Sequence, residues 1–540
     1  MAFSHFHGYA VNNPGLRLER EKVRKGRKKV YVALVLTFCF CASVFTMIPV
    51  GNVQAASGSS DEMIYGADIG FLSQLEAQGV QWVDDNGNTR DALELLKEKG
   101  VNAVRLRVFV KPPEDFVWTK PDGTTCMLGY TDTQALLYNA KRAEELGMKI
   151  MVVFHYSDHF ADPLIQDVPS EWKGASESEL EQYVYDYTAY IMEKLAEEGV
   201  HPEWVQVGNE VSYGMLYPSG SNQTNDFTQL TKYLNSGYDA VKSVSPNTKV
   251  VTHLTHGSGI AHFAWFFENF ITKCGGKTDV IGMSYYPYWT SSYDGDCIEN
   301  VTYNLCQMAA QYGKEVMICE TGELESNPTE TYELLRKEMN ALEVVPNNKG
   351  IGVFYWEPEV NSTVLPDGYA LGAAESVGDK KLHFTDALNA FLTEPDYLNE
   401  NCLYELMNIN SQKAANVAGG SVENDANVEQ YEYAEWNSQK WTFEKVEGDY
   451  YKIANKNSGK VLDVKAFSTE ENGEVIQNDY NEGWNQQWKL VETANGTYKI
   501  QNRWSGLYLG ILNESMENGA RLVQVSEQAV SSEWFLLLAD

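Results

Sequence analysis

Basic side chains are scarce in this sequence. Its 540 residues include 42 Lys and Arg against 75 Asp and Glu, which gives a formal net charge of −33. A surface this acidic repels phosphate backbones, so we expect no nucleic-acid partner, whereas a neutral polymer such as a polysaccharide would not be repelled. Aromatic residues make up 12% of the chain. Their rings can serve core packing or stack on sugars.

Cysteine is also infrequent, with eight residues and no pair at CxxC spacing. That spacing is typical of zinc sites. His155, Asp158 and Asp162 crowd one short segment, but no second ligand group with zinc spacing accompanies them. We therefore predict no metal and no organic cofactor. Any disulfide pairing stays open, because export permits disulfides without requiring them.

One long apolar run, residues 30–48, follows a basic patch near the N-terminus. Val53-Gln54-Ala55 then forms a small-x-small cleavage site. This order predicts that residues 1–55 are an N-terminal extension with a signal peptide cleaved near Ala55, and that the protein is secreted. An uncleaved membrane anchor is the alternative, since the run is nearly long enough to span a bilayer.

Short apolar strands alternate with amphipathic helices over residues 61–396. We predict strands at 65–69, 103–109, 149–155, 204–208, 249–253, 280–285, 316–320 and 352–356. Eight strands in strict alternation with helices predict a (β/α)8 TIM barrel. An open doubly wound sheet is the competing fold, but Gly66-Ala67-Asp68-Ile69-Gly70 lacks the Gly-rich phosphate loop that would follow its first strand.

Residues 402–540 have a different composition, rich in Asn, Gln, Gly and Trp, and they contain an internal sequence repeat. The segment from Tyr451 is echoed from Tyr498 and more weakly from Tyr404. The repeats close with Gln439-Lys-Trp441, Gln486-Gln-Trp488 and Ser532-Glu-Trp534. Three short β repeats that cannot each bury an apolar face predict an all-β trefoil domain after the barrel.

Two glutamates, Glu210 and Glu320, each end a predicted barrel strand. The carboxyl ends of parallel strands meet at one rim, so these side chains can face each other there. Paired carboxylates cleave glycosidic bonds, one as acid/base and one as nucleophile. The plainer alternatives are a solvated loop for Asn209-Glu210 and a rim salt bridge for Glu320.

Other polar and aromatic residues end neighbouring strands and are candidates for substrate binding. Arg105 shares a strand face with Arg107, and an inward Arg beside Glu320 would keep that carboxylate ionised. The predicted substrate-binding set is Arg105, His155, Asp158, Asn209, His253, Tyr285 and Trp356. Within it, Tyr285 is expected to donate to Glu320 and Trp356 to form the floor of the central sugar site.

These segments resemble glycoside hydrolase family 53, the endo-β-1,4-galactanases of a retaining (β/α)8 clan. The resemblance rests on Gly66-Ala-Asp, Val104-Arg-Leu-Arg, Phe154-His-Tyr-Ser-Asp, Gln206-Val-Gly-Asn-Glu, Gly282-Met-Ser-Tyr-Tyr-Pro-Tyr-Trp, Glu320-Thr and Phe354-Tyr-Trp-Glu-Pro. It implies Glu210 as acid/base, Glu320 as nucleophile, and galactan side chains of pectin or type I arabinogalactan as substrate. Phe160 replaces the Trp usual in this family, and the calcium loop of some bacterial members is absent after Glu320.

The C-terminal repeats resemble the ricin-type lectin trefoil. The resemblance implies sugar-binding positions at Asn416, Tyr431, Asp463 and Gln486, although only Asp463 keeps the acid and only Tyr431 keeps the stacking aromatic. A trefoil that only packs is the alternative.

The sequence therefore predicts a secreted, monomeric endo-β-1,4-galactanase that acts on plant cell-wall galactan or arabinogalactan. Another β-1,4-glycanase of the same clan (a cellulase, mannanase or xylanase) is the close alternative. A non-catalytic glycan-binding protein is the alternative from another class.

Overall fold

The computed structural model describes residues 63–290, 296–393, 403–434, 436–493 and 497–539. The predicted signal segment and its cleavage site lie outside the described residues. Within these ranges, no helix combines the length and apolarity needed to cross a bilayer.

Parallel strands form a closed barrel in the first part of the described chain. They are β1 (Ile64–Asp68), β2 (Ala103–Val108), β3 (Lys149–Phe154), β4 (Trp204–Val207), β5 (Lys249–Leu254), β6 (Val280–Tyr285), β7 (Glu315–Thr321) and β8 (Gly350–Tyr355). Each strand pairs with its neighbours in sequence, and β1 closes the ring against β8. The predicted (β/α)8 architecture is confirmed, with strand ends within two residues of the prediction.

Helices connect the strands and cover the barrel. They are α1 (Ala92–Glu98), α2 (Thr133–Glu145), α3 (Glu177–Glu197), α4 (Thr228–Val244), α5 (Ile260–Phe267), α6 (Ile298–Tyr312) and α7 (Pro328–Glu343). Their starts follow local chemistry: Ser176 and Glu179 form a reciprocal capping box at α3, and Asp91 accepts from two amides at α1. Short helices at Leu72–Ala77 and Pro287–Thr290, and a π-helical turn at Glu268–Lys273, are additions to the simple barrel.

Side chains alternate between two apolar layers along each strand. Residues on one face fill the barrel interior, a cluster that includes Ile64, Met151, Trp204, Met317 and Phe354. Residues on the other face pack under the helices. This period of two fixes which positions at the strand ends can reach the barrel mouth.

Antiparallel strands form the second domain. They are β9 (Leu403–Asn408), β10 (Lys413–Val417), β11 (Ala426–Tyr431), β12 (Lys440–Glu447), β13 (Tyr450–Asn455), β14 (Val461–Val464), β15 (Val475–Asn478), β16 (Trp488–Glu492), β17 (Tyr498–Asn502), β18 (Tyr508–Ile511), β19 (Leu522–Val525) and β20 (Glu533–Ala539). This is the predicted all-β trefoil.

Three tryptophans occupy equivalent places in the three trefoil repeats. Trp441, Trp488 and Trp534 are fully buried. Each indole Nε1 donates to a strand carbonyl, of Ala415 at 3.0 Å, Leu462 at 3.1 Å and Leu509 at 2.9 Å respectively. A buried ring with a satisfied N–H gives each repeat the same anchor, so the tryptophan that closes each repeat is structural.

Candidate active site

Glu210 lies just past the end of β4 and faces the barrel mouth. Its backbone is left-handed, with φ of 46°, an uncommon conformation for a non-glycine residue and one that is often found at functional sites. Its Oε1 lies 2.7 Å from the hydroxyl of Ser284, at the end of β6.

Glu320 reaches the barrel interior because β7 contains a β-bulge. Strand β6 pairs Met283 with Ile318 but Ser284 with Glu320, so Cys319 is the extra residue. Cys319 faces the interior, and the bulge lets Glu320 face it as well. Thr321 then turns outward, where its hydroxyl donates to Glu338 on α7 at 2.7 Å.

Arg105 connects the two predicted catalytic strands. Its Nη2 lies 2.8 Å from Glu320 Oε1 and 3.0 Å from Asn209 Oδ1, and its Nη1 lies 2.6 Å from Asp68 Oδ2. The guanidinium is almost fully buried, so its charge interacts strongly with the neighbouring carboxylates. The predicted inward arginine beside Glu320 is therefore present.

The two glutamates influence each other electrostatically. Burial, followed by repulsion from Glu320, raises the pKa of Glu210 to about 8. Burial also raises the pKa of Glu320, but the Arg105 charge opposes that rise. The environment thus separates the two groups: Glu210 keeps a proton at neutral pH, and Glu320 has a cation beside its charged form.

His253 is the inner end of a hydrogen-bond chain under Glu210. Burial lowers the pKa of His253 well below its usual value, so it has one ring proton. Its Nδ1 lies 3.2 Å from Asn209 Oδ1, which also accepts from Arg105 and Gln206. Nδ1 must therefore be the donor, and Nε2 accepts from Ser284 at 2.8 Å.

That assignment uses the only proton of the Ser284 hydroxyl. The contact between Ser284 and Glu210 is then a full hydrogen bond only when the glutamate supplies the proton. The donor count and the raised pKa of Glu210 agree. His253, predicted to bind substrate, is fully buried in this structure, and its ring contacts Asn209 and Ser284.

A second buried arginine lies beneath the rim. Arg107 pairs with Asp68 at 3.2 Å and, at closer range, with Glu357. Glu357 also accepts from the amides of Gly70 and Phe71, each at 3.0 Å. Arg107 holds the pKa of Glu357 below its usual value although burial opposes this.

Glu359 extends this cluster. It is fully buried, neither of its carboxyl oxygens has a donor within the described structure, and the charge that acts on it most strongly is that of Glu357. Burial and that neighbour raise the pKa of Glu359 well above its usual value. Glu359 is therefore neutral and can share its proton with Glu357.

Aromatic rings line the mouth above Arg107. Trp356 and Phe160 have ring centroids 6.3 Å apart, and Phe71 contacts both. The Arg107 guanidinium lies 4.6 Å from the Phe71 centroid and 4.9 Å from that of Phe160. Trp356 is partly exposed, as a stacking surface must be, while the cation fixes the rings from below.

The structure places the β3 candidates in different settings. His155 is buried, and its Nδ1 accepts from the Ala161 amide at 3.0 Å, so its proton is on Nε2. Asp158 accepts from the Lys111 amide at 3.1 Å and the Ser170 amide at 2.7 Å. Its carboxylate thus fixes two loops of the rim. Asn209 is also engaged, since its Nδ2 donates to the Ala161 carbonyl at 2.9 Å.

The expectation for Tyr285 is corrected. The hydroxyl that lies 3.4 Å from Glu320 Oε2 belongs to Tyr286. Gly282 and Ser284 on β6 face the barrel interior. Because successive side chains of a strand alternate between its two faces, Tyr285 points outward and packs in the layer beneath the helices. The same parity, applied to the sequence, would have selected both Ser284 and Tyr286.

In the trefoil, the predicted sugar positions fall on two repeats. Asp463 accepts from Gln486 Nε2 at 2.8 Å and from Asn485 Nδ2 at 3.0 Å. In the first repeat, Asn416 accepts from Ser438 at 2.9 Å. Tyr431 there lies 5.7 Å from the exposed ring of Trp436.

No cluster of three or more His, Cys, Asp or Glu side chains suited to a metal occurs within the described ranges.

A closed (β/α)8 barrel that holds two electrostatically coupled glutamates at its carboxyl rim is the framework of a glycoside hydrolase. The model of glycosyl hydrolase family 53 matches residues 64–391. The chain belongs to this family. A second model, the ricin-type beta-trefoil lectin domain-like family, matches residues 396–478 and 437–525.

Relatives and solved structures agree with that assignment. The endo-beta-1,4-galactanase of Bacillus subtilis is 32% identical over 57% of this chain and 72% of its own length. The arabinogalactan endo-beta-1,4-galactanase of Humicola insolens is 30% identical over 54% of this chain and 88% of its own. The structure of the Ignisphaera aggregans GH53 catalytic domain aligns with a TM-score of 0.54 at 27% identity, covering 64% of this chain and 99% of that one.

Proposed function

We propose that this glycoside hydrolase is a retaining endo-β-1,4-galactanase. The observation that carries the mechanism is the coupling of Glu210 and Glu320, which leaves one carboxyl protonated and the other beside a buried arginine. The B. subtilis and H. insolens relatives are galactanases by name, which supports galactan as the substrate.

In the first step, Glu320 attacks the anomeric carbon and the glycosidic C–O bond breaks. Glu210 gives its proton to the departing oxygen. In the second step, the ionised Glu210 takes a proton from water, which attacks the glycosyl-enzyme and releases Glu320. The configuration is retained because the carbon is inverted twice, and this route requires carboxyl groups about 5–5.5 Å apart.

Neighbouring side chains prepare both steps. Arg105 and the Tyr286 hydroxyl hold Glu320, and burial keeps the Tyr286 hydroxyl protonated by raising its pKa well above the usual value. The Ser284–His253 chain holds the proton-carrying form of Glu210. Trp356 offers a partly exposed ring for a bound sugar.

The substrate class fits the chemistry of the surface. Galactan and the galactan backbone of type I arabinogalactan are neutral, so the net charge of −33 does not repel them. We further propose that the protein is exported by its N-terminal segment, acts as a monomer on plant cell-wall polysaccharide, and uses the Asp463 and Tyr431 repeats of the trefoil to bind sugar.

The test is release of reducing ends from unbranched β-1,4-galactan, with cellulose, mannan and xylan in parallel. Glu320→Gln should abolish turnover. Glu323→Gln is the matched control, because Glu323 is a nearby glutamate whose carboxylate accepts from the Leu324 amide. Preference for another polymer would identify a different glycanase, and wild-type binding without any product would identify a non-catalytic protein.

A further inference from the structure

An exposed aromatic pair marks the junction of the second and third trefoil repeats. Phe467 and Trp504 retain 48% and 46% of their accessible surface. Their ring centroids lie 5.6 Å apart at an interplanar angle of 83°. The Trp504 Nε1 donates to the Phe467 carbonyl at 2.8 Å, so the two rings are held in a fixed relation.

The trefoil does not need these rings for its architecture. At the equivalent junction of the first and second repeats, Asn457 Nδ2 donates to the Gly420 carbonyl at 2.9 Å. That bond is the counterpart of the one between Trp504 and Phe467. A small amide and a glycine therefore make the same connection, and the two aromatic side chains are additional to it.

The backbone at Phe467 also disfavours a large side chain. Its φ is 54°, in the left-handed region, while Gly420 and Glu514 occupy the same turn in the other repeats with φ of 62° and 53°. Glycine adopts this conformation freely, but a bulky residue does so at a cost. Strain of this kind is retained where a side chain has a use beyond folding.

Exposure alone does not single out the pair, because Trp484 is 51% exposed. The Arg503 guanidinium, however, lies 4.5 Å from the Trp484 ring centroid and 4.6 Å from that of Tyr450. Trp484 thus has a cation–π partner within the domain. Phe467 and Trp504 have each other edge to face, which leaves ring surface for a ligand.

Polar groups lie next to the pair. A Cβ built on Gly483 would be 3.6 Å from Phe467 Cζ and 2.5 Å from Asn485 Oδ1, so the ring and the amide flank this glycine. Asn485 in turn donates to Asp463 at 3.0 Å. An aromatic face bordered by hydrogen-bonding side chains suits a ligand that is apolar on one face and hydroxylated at its edge.

We propose that Phe467 and Trp504 form a stacking platform for a pyranose ring of a neutral β-linked glycan. A sugar ring has this mixed character, and a neutral polymer is compatible with the net charge of −33. The platform differs from the sugar-binding positions that the ricin-type resemblance implies in this repeat, Asp463 and Gln486, where Asn478 stands in place of the stacking aromatic. The choice of galactan as the first probe rests on the proposed function.

Residue labelling tests the location directly. The full chain carrying Glu320→Gln, which leaves the polymer intact, is exposed to hydroxyl radicals with and without unbranched β-1,4-galactan, cellulose or xylan. We expect Trp504 and Phe467 to be labelled several-fold more slowly with at least one polymer. Trp484 is the internal control and should keep its rate. Unchanged labelling of Trp504 with all three polymers overturns the proposal.

Two substitutions that copy the first repeat give an independent measurement. Phe467→Gly and Trp504→Asn together should weaken retention on the protecting polymer by roughly tenfold without lowering the unfolding temperature, since Gly420 and Asn457 already serve these roles. Trp484→Asn is the matched control for binding. Wild-type retention by the double variant overturns the proposal, as does a change in sedimentation that assigns the pair to self-association.

Failure of the platform and failure of the proposed function are distinguishable. Galactan cleavage depends on the barrel, so the double variant should keep full activity on short soluble galacto-oligosaccharides. If the wild-type protein cleaves another polymer and that polymer protects Trp504, the platform stands and only the substrate assignment changes.

Discussion

Replacing Glu359 with glutamine should make stability less dependent on pH. In the folded protein this carboxyl is buried against Glu357, and both burial and that neighbour raise its pKa well above the usual value. In the unfolded chain it ionises near its ordinary value. Folding above about pH 4.5 therefore takes up one proton at this site.

The sign and size follow from proton linkage. Because the folded state binds more protons, stability falls as pH rises, by up to about 1.4 kcal/mol per pH unit for one proton. The fall stops once pH passes the folded pKa. The stability that Glu359 contributes is therefore greatest below its ordinary pKa and is lost as pH rises toward its raised folded pKa. Glutamine keeps the shape and stays neutral in both states, so Glu359→Gln removes this loss.

The measurement is the free energy of unfolding of both proteins at several pH values. We expect near-equal stability at the acidic end and a growing advantage for Glu359→Gln toward pH 8. Burial also raises the pKa of Glu338, but this residue is present in both proteins and lies outside the cluster, so its contribution cancels. Parallel pH dependences would refute the protonated Glu359 that the cluster requires.

Three further substitutions address the site and the trefoil. His253→Leu frees the Ser284 hydroxyl to donate to ionised Glu210, so the alkaline limb of kcat/KM, expected near pH 8, should move to lower pH. Arg105→Lys loses the guanidinium that contacts Glu320, Asp68 and Asn209 together, and it should lower kcat by about a hundredfold or more. Trp488→Ala should destabilise the protein by about 3–5 kcal/mol, measured by thermal unfolding, because the ring is fully buried.

Each of these three predictions would be contradicted by a specific result. An alkaline limb that stays in place or moves to higher pH contradicts the hydrogen-bond chain. A lysine at position 105 that preserves kcat contradicts the role of the guanidinium. Trp484→Ala is the control for Trp488→Ala, because it removes the same side chain from a half-exposed position; equal destabilisation by both would contradict the buried anchor.

The barrel could be predicted from sequence because its signals are local. Apolar strands alternate with capped amphipathic helices, and Glu210 and Glu320 stand where two strands end. The hydrophobic pattern thus indicates which residues lie at the ends of the strands, near the rim. The prediction for Tyr285 was wrong because it placed this residue on the inward face of β6. Side chains alternate along a strand, so once Gly282 is placed inward, Ser284 and Tyr286 lie on the same face.

Other features depend on contacts that no local pattern encodes. The bulge at Cys319 is visible only in the pairing of β7 with its neighbours β6 and β8, and it lets Glu320 face the barrel interior. Glu357 meets Arg107 and Asp68 through tertiary folding, and Glu359 is buried beside it, so the run Trp-Glu-Pro-Glu gives no sign of a buried proton. In the trefoil, the Phe467–Trp504 pair joins residues of two different repeats.

Azide rescue of two alanine variants tests the catalytic assignment most directly. With an activated aryl β-galactobioside and azide, Glu210→Ala should still form the glycosyl-enzyme on Glu320 and yield the β-glycosyl azide. Glu320→Ala should let azide attack in place of the nucleophile and yield the α-glycosyl azide. The reverse pairing of variant and anomer, or rescue of neither variant, would contradict the assignment of these two glutamates.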